Sequence, residues 1–259
     1  RMATAMDARV RANANDVGDA NVGALMARGA LTSAFACGYR VCVMDTTIDA
    51  SDGDRCGKAI VAGRARASGV DEDSGTTVKT RLTISYAEPS ELQMILGKYS
   101  SDIDAYDVLA LEPLGAKAFA SACANKHADV VSVRARGRLA YKFTASAMKT
   151  ALDNKIFFEL CYSDALRDST SRRWFFTNAS ALARATRGGR ACVLLSSGAT
   201  KPMEVRTMYD VANLATFFGM PEANARAAMT DNVERMLALA KRRRNVKFSA
   251  SSVELMETT

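Results

Sequence analysis

The chain has 259 residues, 48% of them hydrophobic, which is enough to bury one substantial core and lies within the range where α/β barrels run as a single domain. Its 35 Lys and Arg against 28 Asp and Glu leave a net charge of +7, which favours an acidic partner such as RNA and fits a merely soluble basic protein equally well. The six cysteines are scattered without a C-x-x-C pair, and no apolar run or signal-type segment is long enough for a membrane, so zinc and disulfide frameworks are excluded and a soluble intracellular protein without membrane association is expected.

In chain order, a strand is predicted at 8–12, a helix at 20–37 and a strand at 40–44. Residues 46–78 are rich in Gly, Asp, Ser and Thr with both charge signs, and read as a flexible insertion. Then come a strand at 81–86, a helix at 90–98, a strand at 106–111, a helix at 116–126 and a strand at 129–133. A helix at 145–154, a strand at 156–161, a helix at 164–186 and a strand at 191–195 follow, with two more helices after Tyr209 and Pro221. Gly219 suits a left-handed helix end, and Pro221 suits the first turn of the next helix. Lys241-Arg242-Arg243-Arg244 opens a basic, then polar tail over 241–259. The alternation predicts one α/β domain over 1–240: a TIM-like (β/α) barrel of about seven strands, although a doubly wound open sheet would give a similar string.

In such a barrel chemistry gathers where strands end. Those positions are Asp45, Glu112, Arg134, Tyr162 and Ser196-Ser197. A metal-dependent hydrolase needs several His and carboxylate ligands aimed at one point. The chain has one histidine, His127, just before a strand and on the opposite face, where a surface or cap role is the better reading. Asp45 and Glu112 can share a magnesium ion, but single strand-end carboxylates commonly cap helices or pair with bases. There is no G-x-S-x-G elbow and no phosphate-binding glycine loop, and Gly188-Gly189 reads as a helix stop.

Basic residues beside small hydroxyl residues remain. After strand 156–161, Ser163 can cap a helix with Asp164 at its positive end, and Arg172-Arg173 project from later turns. Arg172 either pairs with Asp168 one turn earlier or, with Arg173, grips phosphate oxygens. The next loop carries Ser196, Ser197, Gly198, Lys201 and Arg206, which suit a phosphodiester backbone or ordinary loop polarity with Glu204 as partner. Lys241 to Arg244 serve as a solvated face, an import signal or an RNA patch.

Four stretches resemble a known family. They are Thr80-Arg81-Leu82-Thr83-Ile84 with Pro89-Ser90; Tyr106-Asp107-Val108 through Pro113; Phe158-Glu159-Leu160 through Tyr162-Ser163, Asp168-Ser169-Thr170 and Arg172-Arg173; and Ser196-Ser197 through Pro202, Glu204, Arg206 and Tyr209-Asp210-Val211-Ala212-Asn213-Leu214 to Phe218-Gly219. In this order and spacing, over residues 38–228, the chain is similar to the barrel-like ribonuclease P protein subunit of archaea and eukaryotes, the thirty-kilodalton subunit. The resemblance implies a barrel related to the polymerase-and-histidinol-phosphatase (PHP) hydrolases without their metal-binding histidines, with no catalytic residue, metal or cofactor of its own. It implies a subunit that binds the catalytic RNA of ribonuclease P or ribonuclease MRP, a small RRM-like protein subunit and other proteins of the particle, in the nucleus and nucleolus. The RNA-binding candidates are then Arg172, Arg173, Ser196, Ser197, Lys201, Arg206 and Arg81. Two rivals stand beside this reading: an active metal-dependent PHP-type phosphoesterase using Asp45 and Glu112, and a pure protein–protein scaffold.

Overall fold

The computed structural model describes residues 5–12, 20–67, 76–190 and 192–257. Seven strands form one parallel sheet in sequence order: β1 (Met6–Ala12), β2 (Val41–Asp49), β3 (Thr77–Tyr86), β4 (Val108–Pro113), β5 (Val130–Val133), β6 (Phe157–Cys161) and β7 (Val193–Ser196). The sheet curls until its edges meet. Val10 bridges Ala199, Arg11 N–H donates to the Ala199 carbonyl at 2.9 Å, and Gly198 N–H donates to the Arg9 carbonyl at 2.9 Å. This is a nearly closed α/β barrel, and the open-sheet alternative falls away.

Each crossover is helical, as parallel pairing requires. The connections are Ala20–Ala36, Asp54–Ala67, Pro89–Lys98 with Ser100–Asp104, Ala116–Ala124, Ala145–Asp153, and Asp164–Arg167 with Ser169–Ala185. Strand alternation then sorts the side chains. Leu82, Ile84, Leu109, Leu111, Val131, Val133, Phe158 and Leu160 join the core shared with the helices. On the inner face, Val43, Val108, Ala110, Val130 and Leu194 form an apolar floor that is sealed by Val233 and Met236 of the last helix, Asp231–Glu257. Burying each of those two plugs contributes about 1.5–3 kcal/mol. Met6 N–H donates to the Met229 carbonyl at 2.8 Å, which ties the lead-in of that helix to β1.

Three expectations from the sequence are corrected here. Residues 46–78 are not simply an excursion: β2 runs to Asp49, the helix Asp54–Ala67 packs on the barrel, and β3 begins at Thr77. Gly57 and Gly63 argue against a helix by propensity, yet they let it approach closely. A Cβ on Gly57 would come within 2.7 Å of the Tyr99 ring, and one on Gly63 within 2.6 Å of the Tyr106 hydroxyl. The basic run 241–244 does not start a tail, because the helix continues to Glu257. Arg243 forks onto Asp129 at 3.0 and 2.9 Å, and Arg244 reaches Asp107 at 2.8 Å, so the second half of the run is clamped under the barrel while Lys241 and Arg242 are exposed. Finally, the helix expected over 164–186 is two. Ser163 makes no side-chain cap, and Asp168 interrupts and caps the second piece by accepting from Ser171 N–H at 2.8 Å.

Candidate functional site

Above the apolar floor the barrel interior is ionic. Arg9 of β1 and Arg81 of β3, both essentially unexposed, face Asp45 of β2 and Glu159 of β6. Arg9 Nε lies 2.8 Å from Asp45 Oδ2, and Arg9 Nη1 donates to Ser132 Oγ at 2.7 Å. Arg81 grips Glu159 with both Nη atoms at 2.6 Å, and Ser196 Oγ adds a further donor to that carboxylate at 2.7 Å. Thr83 and Thr47 complete the shell of Asp45.

Toward the mouth, Glu112 of β4 accepts from Arg134 Nε at 2.6 Å, and Arg134 also donates to Ser85 Oγ at 2.9 Å. Three guanidinium groups thus face three carboxylates. Burial alone would raise the pKa values of Asp45, Glu112 and Glu159, but Arg9 with Arg81 or Arg134 holds all three below the ordinary carboxylate range.

Sequence sets this pattern through alternation with one irregularity. Arg81, Thr83 and Ser85 share a face of β3, as do Glu159 and Cys161 on β6. In β1 the register slips between Asp7 and Val10, so Met6 packs in the floor while Arg9 also reaches the interior. A bulge of this kind hides period two from a sequence reading. Arg9 and Glu159 are interior residues that the sequence reading did not place in the site. Asp7 is buried beside Arg9: Oδ1 accepts from Arg9 and Ser197 N–H at 3.1 and 2.9 Å, while Oδ2 has no partner. Burial pushes its carboxyl up to about 6.

The rim is strongly basic. Arg136 is held below its usual value by burial and by neighbouring Arg134, with Arg11 adding repulsion. Burial raises buried Asp164, against the pull of Arg11, Arg167 and Arg136.

Of the predicted RNA-binding residues, three lie buried in the barrel: Arg81 binds Glu159, Ser196 Oγ binds the same carboxylate, and Ser197 Oγ closes the barrel on the Arg9 carbonyl at 2.9 Å. Short hydroxyls at a strand end look alike in sequence whether they bind a ligand or a neighbouring strand. Arg172, Arg173, Lys201 and Arg206 are exposed. Arg172 Nε donates to the Ala165 carbonyl at 2.9 Å, and Arg206 folds onto its own loop through the Val205 carbonyl at 2.8 Å. Their two loops are joined, with Ser163 Oγ donating to the Gly198 carbonyl at 3.1 Å and Arg206 N–H to Tyr162 Oη at 3.0 Å. Glu204 accepts from the Thr200 N–H at 2.7 Å, an intraloop role. His127 is exposed before β5, away from the mouth.

The rival metal chemistry does not fit this interior. Asp45 and Glu112 are each taken up by arginines, and among the described residues no three His, Cys, Asp or Glu side chains come together to hold a metal ion.

Fold and interior together define a nearly closed α/β barrel whose central carboxylates are neutralised by arginine. The solved archaeal ribonuclease P with mature tRNA contains a chain of this fold, with a TM-score of 0.65 at 13% identity, covering 92% of this chain and 91% of that one. An organophosphorus hydrolase mutant shares the barrel at a TM-score of 0.54 and 11% identity, covering 91% and 92%. In sequence, the mouse protein named ribonuclease P protein subunit p30 is 36% identical over 155 residues, 60% of this chain and 57% of the mouse protein. The chain spans between 30% and 59% of the length of its first curated relatives. The family described as RNase P subunit p30 matches residues 16–245, and the chain belongs to that family.

Proposed function

We propose that the chain is a non-catalytic protein subunit of ribonuclease P, ribonuclease MRP or both, which supports the catalytic RNA in precursor-tRNA 5′ processing or precursor-rRNA processing. The family match over 16–245 carries this reading. In it the chain binds that RNA together with a small RRM-like subunit and other proteins of the particle, in the nucleus and nucleolus. Arg172 and Arg173 supply RNA contacts from the exposed first turns of the helix Ser169–Ala185, and Lys201 and Arg206 from the loop after β7.

The interior supports the non-catalytic part. A metal at Asp45 or Glu112 would have to displace a buried guanidinium, which is costly. The test is an assay of the purified chain against phosphoesters with magnesium, manganese and zinc. No turnover above blank is expected; robust turnover that disappears in Asp45→Ala would overturn the reading. Ultraviolet crosslinking in cells separates it from a pure protein scaffold, which would give partner peptides and no RNA adducts.

A further inference from the structure

After β5 the chain loops back over the helix Ser169–Ala185. Asn178 of that helix, itself buried, pins the loop by donating Nδ2 to the carbonyls of Ala135 at 2.9 Å and Gly137 at 2.7 Å. Between loop and helix lies an open groove of about 480 Å³. Arg138, Lys142 and Arg184 line it together with Tyr141, Phe143 and Trp174, and no carboxylate does.

Two features set this groove apart from ordinary surface. Three exposed cations share one concavity with no acidic side chain in its lining, an arrangement that favours an anionic occupant. The aromatic floor is rigid: Phe119 stacks under Tyr141 at 4.4 Å and 8°, and Phe143 meets Tyr141 edge-on at 5.9 Å. Trp174 is partly exposed and stacks on no other ring among the described residues. Tyr141 is 8% exposed, and its buried hydroxyl has no hydrogen-bond partner, although such groups nearly always find one.

An anion that also presents a flat apolar face meets both demands. We propose that this groove holds an unpaired nucleotide of RNA, with the base against Trp174 and the phosphates among Arg138, Lys142 and Arg184. The proposal rests on the RNA-subunit reading and adds to it a site for single-stranded RNA. A duplex keeps its base faces stacked and offers nothing to Trp174, whereas an unpaired base of any identity has a free π-face.

The chain contains one tryptophan, so emission excited selectively at tryptophan reports on this groove alone. The full chain is titrated with a short oligouridylate and with an RNA duplex of matched charge, while filter binding measures total RNA association in parallel. Single-stranded RNA is expected to quench Trp174 saturably and the duplex to quench it little. Arg138→Glu with Lys142→Glu, at exposed positions, should shift the single-strand curve to higher concentration. Trp174→Ala should weaken single-strand binding by at least about fivefold by filter binding, with Trp174→Phe largely restoring it. If RNA binds on filters while Trp174 emission stays unchanged, or if duplex and single strand quench alike, the groove assignment is overturned and the RNA-subunit reading stands. If the native chain retains no RNA of either kind, both fall.

Discussion

Arg81 and Glu159 meet across the barrel as a bidentate pair, both Nη atoms 2.6 Å from carboxylate oxygens and neither side chain exposed. The pair spans the barrel interior from β3 to β6 and braces it. Removing one partner leaves a buried charge that the rest of the network cannot neutralise. Arg81→Met is therefore expected to cost about 3–5 kcal/mol in urea unfolding, and adding Glu159→Leu should restore part of that loss. A cost below about 1 kcal/mol would show that the brace is dispensable.

Asp7 gives a pH dependence of definite sign. Its carboxyl rises from 3.8 to about 6 on folding, so the folded chain binds its proton more tightly. The native state gains from protonated Asp7 below pH 3.8, and that gain is lost as pH rises through about 6. Asp7→Asn should therefore stabilise the protein at neutral pH, on the order of 2 kcal/mol, with the advantage shrinking toward pH 4. Parallel urea titrations of both proteins at several pH values read this directly, and an advantage that grows on acidification contradicts it.

Arg243 tests the plug beneath the barrel. Its fork onto Asp129 is largely shielded from water, with Arg243 12% and Asp129 6% exposed. Arg243→Ala should cost about 1.5–3 kcal/mol, the range for hydrogen bonds to charged groups. Hydrogen exchange should speed up in the helix Asp231–Glu257 before it does in β3 or β4. Uniform acceleration would assign Arg243 to global stability alone.

Charge reversal of Arg172 and Arg173 on the helix Ser169–Ala185 and of Arg206 in the loop after β7 should weaken RNA association more at low salt than at high salt. For every phosphate that is no longer neutralised, the slope of log affinity against log salt should fall by about 0.7–0.9. Unchanged affinity at low salt would remove these residues from the RNA-binding set.

How far the sequence carried depends on which signals were local. The strands were readable because short apolar runs such as Val130 to Val133 alternate with helical patterns, and seven such runs match the seven observed strands. The helix Asp54–Ala67 was not readable, because Gly57 and Gly63 weaken it locally and only the close packing of Tyr99 and Tyr106 explains them. The ionic interior was hidden for a related reason. A single Arg within a strand pattern, as at Arg9 or Arg81, looks like a solvent-facing position until closure of the barrel turns that face inward. Arg172, Arg173, Lys201 and Arg206 follow simple loop and helix-surface patterns, and their exposure matches. Arg243 and Arg244 read as a free basic run because the carboxylates they meet, Asp129 and Asp107, lie more than a hundred positions away.

The most direct test of the central claim is to purify the tagged chain from cells under native conditions and sequence the RNA that accompanies it. The account predicts strong enrichment of the ribonuclease P RNA, the ribonuclease MRP RNA or both over total cellular RNA, reduced by charge reversal at Arg172, Arg173 and Arg206. Recovery of abundant background RNA alone, with neither particle RNA enriched, would contradict it.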